Sequence, residues 1–342
     1  IFIKNMKRIF GTMLLISFLS IGGCKENKQN NNTTNIKNKD TEIIAQGEYL
    51  ENWNDGTNKQ IIVNYIDEIT DPDNKNFIPE EDRIAVFDND GTLATERPAI
   101  FLLYAIERLA DSQYSNEKIL EAKDILLNGD GNINKLKFRG LMKTAIQYQS
   151  DMSTEAYQTD VKNYFATKNY PKFNIKMTEV AYKPQVELIK YLQDNKFKVY
   201  IVSGSEVDFL RAISKELYNI DSENVIGLTM QYDYDYDTNI ISREQKIDYK
   251  SDKEQKPINI AKHIGKIPVI AVGNIGNAGD IDMLRYSESS KYKNLQLLVN
   301  HDDSDREEAY GEKDTKSMEA AKYNGWKIIS IKDDWKTIFN KK

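Results

Sequence analysis

The sequence predicts an α/β protein built on a doubly wound parallel sheet. Three observations carry that reading. Short apolar runs suited to strands buried on both faces recur along the chain, stretches with helical apolar spacing separate them, and polar residues gather where the runs end. Strands alternating with helices give parallel sheets, because a parallel pair needs a long crossover and a helix supplies it.

From about residue 46 the elements follow in order. Asn54, Asp55 and Gly56 offer a cap for a helix through "NKQIIVNYIDEI", and "RIAVFD" is a buried strand. "PQVELIKYLQDNKF" has amphipathic spacing and leads into a second buried strand, "KVYIVSGS". "IPVIAVGN" and "LQLLVNHDD" come next, then a helix through "TKSMEAAKY" stopped by Asn324 and Gly325, and finally the strand "WKIISI". About 110 residues separate "RIAVFD" from "KVYIVSGS", far more than a sheet connection needs. Four segments there are helical in pattern: "AIFLLYAIERLA", "NEKILEAKDILL", "LKFRGLMKTAIQY" and "EAYQTDVKNYFA". The expected division is therefore a core of residues 46–98 and 180–342 with a helical cap of residues 99–179 that closes over the site and excludes water.

The chain has 342 residues, 40% of them apolar, enough for one large or two modest cores. Its formal charge of −6 and the lack of a basic stripe give no footprint for nucleic acid. Nothing in the sequence points to a protein partner.

Residues 1–24 read as an address. Met6, Lys7 and Arg8 precede the apolar run "IFGTMLLISFLSI", which is too short to span a bilayer and ends in Gly22, Gly23 and Cys24. This resembles a bacterial lipoprotein signal that starts at Met6, is cleaved before Cys24 and leaves that cysteine lipidated; an ordinary secretory signal is the alternative. A chain beginning at Cys24 would carry 44 bases against 53 acids, a charge of −9. Cys24 is the one cysteine of the sequence, so the mature domain has neither a disulfide nor a thiol nucleophile. Residues 25–45 are polar and Asn-rich, a tether with a reach of about 25 Å. The expected location is extracytoplasmic, on a membrane surface.

The chemistry concentrates in "DNDGT", residues 88–92, where a buried strand runs into Asp88 and Asp90. Side chains at i and i+2 leave a strand on the same side. Two carboxylates so placed repel and raise one another's pKa unless a cation stands between them. A plain turn is the competing reading, since Asp, Asn and Gly favour turns. The ends of the other strands add Ser203, Asn274 and Asp280, and in open α/β sheets chemistry sits at the carboxyl ends of strands where their order reverses.

This set resembles the haloacid dehalogenase superfamily, whose phosphatases carry Asp-x-Asp-x-Thr on the first strand; the likeness covers nearly all of residues 50–342, which are similar to a group of extracytoplasmic phosphoserine-phosphatase-like hydrolases. It implies a magnesium ion between the carboxylates, Asp88 as the nucleophile that forms an aspartyl phosphate, and Asp90 as general acid and base. Thr92 would contact substrate. Ser203 would hydrogen-bond the phosphoryl group and the amides around Gly204 would face its charge; a helix cap by Ser203 or Ser205 is the plainer reading of that stretch. Lys256 takes the place of the superfamily's lysine, with Lys253 as rival. In "AVGNIGNAGDIDML" the metal ligands would be Asn274 and Asp280, separated by two more residues than relatives usually have, and Asp282 is the second candidate. Glu96 stands where a glutamate of phosphoserine phosphatases faces the substrate's amino group.

The resemblance implies a magnesium-dependent phosphatase of small phosphorylated metabolites, with phosphoserine-like esters among the candidate substrates. A dehalogenase has no use for Asp90, and a phosphomutase or a lipoprotein that binds phospho-ligands without turnover stay open. Three other features have plainer readings. "DYDYDTNIISRE", residues 233–244, has acids at calcium-loop positions but Thr238 where glycine is required, and reads as an edge strand with tyrosines on one face. His301 reads as structural and "DDSDREE" as a solvated charge run.

Overall fold

Strand β1 (Ile84–Phe87) shows how the sheet is made: Ala85 and Phe87 enter one hydrophobic cluster, Ile84 and Val86 the other, so its alternate side chains fill two opposite layers. The structure is a computed structural model that describes residues 49–129, 135–150, 152–276, 278–312 and 314–339. The expected signal and tether lie outside the described residues.

Helix α1 (Thr57–Thr70) precedes β1. After β1 come α2 (Ile100–Ala110), α3 (Glu117–Asn128), α4 (Lys135–Gln149) and α5 (Thr154–Thr167), then the small hairpin β2 (Asn169–Tyr170) and β3 (Ile175–Lys176). The chain continues through α6 (Lys183–Asp194), β4 (Lys198–Glu206), α7 (Val207–Tyr218), β5 (Val225–Asp235), β6 (Ile240–Tyr249) and α8 (Gln255–His263). It closes with β7 (Ile270–Asn274), α9 (Ile281–Glu288), β8 (Leu295–Asn300), α10 (Lys316–Asn324), β9 (Lys327–Ser330) and α11 (Ile331–Asp334).

The main sheet has the order β6-β5-β4-β1-β7-β8-β9 and is parallel except for β6, which runs antiparallel to β5 at the edge. From β1 the chain builds outward through β4, β5 and β6, then returns to β7 on the other side. The order therefore reverses at β1, and the crevice beyond its carboxyl end is where such sheets bind ligands.

The two faces differ in bulk. Residues of α8, α9 and α10, among them Ile260, Met283 and Ala321, cover one face in a small cluster. The other face carries a large continuous core that includes residues of α1, α6 and α7 together with those of α2, α3 and α5. Phe209 of α7 joins them directly, its ring 5.2 Å from Phe101 of α2 and 5.8 Å from Phe165 of α5. The helices inserted after β1 thus share a core with a sheet helix, and residues 45–342 form one compact unit.

Two local expectations are corrected. Gly56 holds the N-cap position of α1 without a side-chain cap, while Asn54 donates to the carbonyl of Asp333 at 2.7 Å and Asp55 pairs with Lys59 at 3.0 Å, one helical turn on. Residues 233–244 span the end of β5, the turn and the start of β6, so they make a hairpin tip and not a single edge strand. The stop of α10 lies where Gly325 adopts a left-handed φ of 76°.

Candidate active site

Asp88 leaves β1 with its amide still held by the carbonyl of Val272 at 2.9 Å, which fixes it at the reversal point of the sheet. The chain then curls tightly. The carbonyl of Asn89 accepts the amides of Thr92, Leu93 and Ala94, and the amide of Gly91 donates to Ala94 at 2.8 Å. Gly91 takes a φ of 75°, and a Cβ on it would stand 1.9 Å from the Asn274 amide nitrogen, so only glycine fits there. This curl turns Asp90 toward β4.

Strand β4 meets it through an irregularity. Val202 pairs with Ile226 and Glu206 with Leu228, so Ser203, Gly204 and Ser205 stand opposite Gly227 alone and β4 carries two extra residues in a bulge. Ser205 Oγ donates to Asp90 Oδ2 at 2.6 Å, and Ser203 Oγ to the same oxygen at 3.4 Å. Asn89 Nδ2 donates to Asp90 Oδ1 at 3.2 Å and is itself held by the Tyr218 hydroxyl, which donates to Asn89 Oδ1 at 2.9 Å. The helix cap assigned by sequence to Ser203 or Ser205 belongs to Glu206, whose carboxylate accepts the amides of Asp208 and Phe209.

The cation of the site is Lys256, in the first turn of α8 and buried. Its ammonium donates to Asp88 Oδ1 at 2.6 Å and to Asp280 Oδ1 at 2.5 Å. Its rival Lys253 is exposed. Asp280 is fixed by a further bond, its Oδ2 accepting the backbone amide of Asn274 at 2.9 Å. That approach depends on Gly273, since a Cβ there would lie 2.5 Å from the Asp280 Cβ. Asp282 lies within α9, in its first turn.

Burial raises the Asp88 carboxyl well above the usual carboxylate range, and the neighbouring charges of Asp280 and Asp90 add to the rise while Lys256 opposes it. Burial likewise raises Asp90, against the hydrogen bonds from Ser205 and Asn89. For Lys256 the burial penalty is outweighed by the two carboxylates, and its pKa rises.

Three carboxylates, those of Asp88 and Asp280 buried and that of Asp90 half-buried, against one ammonium leave the site short of positive charge. Among the described residues no group of three acidic, His or Cys side chains is placed to hold a metal as it stands, with Lys256 bridging Asp88 and Asp280. The donor set, all hard oxygens with an uncompensated negative charge, fits a hard divalent cation such as magnesium.

The remaining expected residues sit around this centre. Thr92 is buried and its hydroxyl has no partner, whereas Gly204 is exposed beside Asp252. Glu96 accepts the Asn274 side-chain amide at 3.3 Å, and burial pushes its carboxyl up to about 7 against the pull of the nearby Tyr310 hydroxyl.

The sequence reading missed a whole supporting loop. His301 Nε2 donates to the Gly91 carbonyl at 2.8 Å, and its Nδ1 meets Glu307 Oε2 at 2.9 Å. Glu307 also takes the Tyr182 hydroxyl, and Tyr310 lies between the His301 ring, 4.1 Å away, and the Arg97 guanidinium, 3.8 Å away. The charge run "DDSDREE" is accordingly not a solvated face. Asp303 and Glu307 are buried, Glu308 pairs with Arg97 and Lys172, and Arg306 binds the carbonyls of Ile331 and Trp335. The signal available in the sequence was His301 itself, a polar residue at the end of a buried strand.

The model of haloacid dehalogenase-like hydrolases matches residues 83–286, the span from β1 to α9 that contains every one of these strand-end residues except His301. The chain belongs to that family. No curated protein matches the sequence. Among solved structures, this haloacid dehalogenase-like chain is similar to a conserved protein of unknown function from Anaerococcus prevotii, with 15% identity and a TM-score of 0.52 over 80% of this chain and 91% of that one. At that identity the likeness is one of fold. A protein of unknown function from Bordetella pertussis shares 10% identity at a TM-score of 0.46, covering 72% of this chain and 97% of its own. A phosphoserine phosphohydrolase-like protein from Francisella tularensis shares 16% at 0.37, covering 64% and 88%.

Proposed function

We propose that this hydrolase is a magnesium-dependent phosphomonoesterase that works through an aspartyl phosphate. The observation that carries the reading is the bridge from Lys256 to both Asp88 and Asp280, with Asp90 held two residues away by Ser205. Lys256 engages Asp88 Oδ1, which leaves Oδ2 to attack phosphorus. As that bond forms the ester P–O bond breaks, and the leaving oxygen takes a proton from Asp90, whose raised pKa favours carrying one. Asp90 then takes a proton from water, water oxygen attacks phosphorus, and the bond to Asp88 breaks to release inorganic phosphate and restore both carboxyl groups.

Ser203 and Lys256 would steady the phosphoryl oxygens, and the amide of Gly204 would face their charge. Asp88, Asp90, Asp280 and the Asn274 side-chain oxygen would hold magnesium, which when bound supplies the positive charge the site lacks. The helices α2–α5 serve as the cap. The protein is further proposed to act outside the cytoplasm on small phosphorylated metabolites, anchored through lipid on Cys24; fractionation of a Cys24→Ser variant would then show the protein leaving the membranes.

The test is a panel of phosphate esters assayed with and without magnesium, for the wild type and Asp88→Asn. The amide has the shape of the carboxylate but is not a nucleophile, so turnover should vanish while the fold persists. Turnover by the variant at near wild-type rate would remove Asp88 from the mechanism. Tight phosphate binding with no hydrolysis of any ester would make the protein a binder.

A further inference from the structure

A cavity of about 650 Å³ opens from Asp90, Gly204 and Ser205 into the space between α2, α4 and the β5–β6 hairpin. Its size is that of a pocket for a drug-sized ligand. Phe101, Met142, Ile146, Leu228, Met230 and Ile247 belong to its lining, which is mainly apolar in surface, with Lys143 and Lys250 among its polar residues. An amino-acid ester would leave much of that volume empty and would place an ammonium and a carboxylate against apolar side chains, at a heavy desolvation cost. Glu96, the residue expected to meet an amino group, does not line the cavity and is engaged by Asn274.

Two lining residues carry donors without a partner. Gln149 and Arg243 are each 3% exposed, and Gln149 Nε2 and Arg243 Nε have no hydrogen-bond partner. The guanidinium is otherwise fixed: Nη1 donates to Glu206 at 3.2 Å and to Asp208 at 3.1 Å, and its face lies 3.6 Å from the Tyr157 ring. Both donor atoms have almost no accessible surface, so they do not reach an occupant of the cavity.

We propose that the phosphate ester cleaved here carries a bulky, mainly apolar leaving group, seated in this cavity with its phosphate at Asp90. The inference rests on the phosphomonoesterase reading and specifies its substrate class.

The experiment uses the full-length protein with magnesium and compares 4-methylumbelliferyl phosphate, which is aromatic, with O-phosphoserine. Ile146→Trp and Met142→Trp each fill part of the cavity. Each should lower the ratio of kcat/KM for the umbelliferyl ester to that for O-phosphoserine by tenfold or more, mainly through a higher KM. Because the same two esters are compared in every protein, their intrinsic reactivities cancel. A ratio unchanged in both folded variants, with esters still turned over, overturns the cavity assignment and leaves the phosphatase standing. Hydrolysis of neither ester by the wild type overturns the phosphatase reading and this one with it.

Discussion

His301 donates through Nε2 to the carbonyl of Gly91, 2.8 Å away, and so ties the end of β8 to the loop that carries Asp90. Glu307 and Tyr182 hold the imidazole from its other side. The histidine makes no hydrogen bond to Asp88, Asp90 or Asp280, so its expected part in the site is one of position.

His301→Phe tests this, since it keeps a ring against Tyr310 and Tyr182 and removes both hydrogen bonds. Losing the loop's register should cut kcat by about 10- to 100-fold with little change in KM, since small misplacements of reacting groups are costly. Leaving Glu307 and the Gly91 carbonyl short of a partner should also cost about 1–3 kcal/mol in denaturant unfolding. A variant that unfolds more easily yet keeps its kcat would make His301 purely structural.

The proposed magnesium ligand of the fourth motif is Asp280, which touches Lys256 and the Asn274 amide, whereas its rival Asp282 lies in the first turn of α9. Asp280→Asn should raise the magnesium concentration for half-activation by about tenfold or more, since hard cations follow ligand charge. Asp282→Asn should leave the activation curve where it is. The reverse pattern would move the ligand to Asp282.

What could be read from the sequence followed from regular spacing. The strands announced themselves as continuous apolar runs because both faces of the parallel sheet are buried, and Asp88, Ser203 and Asn274 stood out as polar interruptions at their ends. The grip on Asp90 was hidden, since Ser205 reaches it only because β4 bulges against β5, and a bulge has no period to detect. The loop from His301 to Tyr310 was hidden for another reason. Five acids and an arginine in seven residues look like solvent-facing charge, and only the fold brings Lys172, Arg97, Tyr182 and the carbonyls of α11 to meet them.

Gly273 is a second point of close approach. A methyl group there would stand 2.5 Å from the Asp280 Cβ and 2.6 Å from its Oδ2, so Gly273→Ala must push Asp280 away from Lys256. Overpacking of this kind costs about 1–3 kcal/mol. The activity loss should exceed tenfold, with weaker magnesium activation, because the displaced carboxylate belongs to the site. Normal magnesium activation in Gly273→Ala would show that Asp280 can relax without consequence.

The last prediction concerns pH and the anchor of the supporting loop. Burial pushes the Asp303 carboxyl up, but the side-chain hydrogen bond from Arg306 and the amides of Arg306 and Asp305 outweigh it, so its pKa lies below the ordinary 3.8. Arg306 in turn fastens α11 through the carbonyls of Ile331 and Trp335 at 2.7 and 2.8 Å. A carboxyl whose folded pKa is depressed stabilises the protein above its unfolded pKa, and that contribution is lost as pH falls through the folded value. Asp303→Asn should therefore destabilise the protein at neutral pH by about 1–3 kcal/mol, the range for a hydrogen bond to a charged group. The gap between wild type and variant should hold down to about pH 4 and close below it, as wild-type Asp303 takes up its proton. Urea unfolding of both proteins from pH 7 downward measures the gap directly. A gap that stays equally wide at the acid end would mean that Asp303 contributes through its shape and not through its charge.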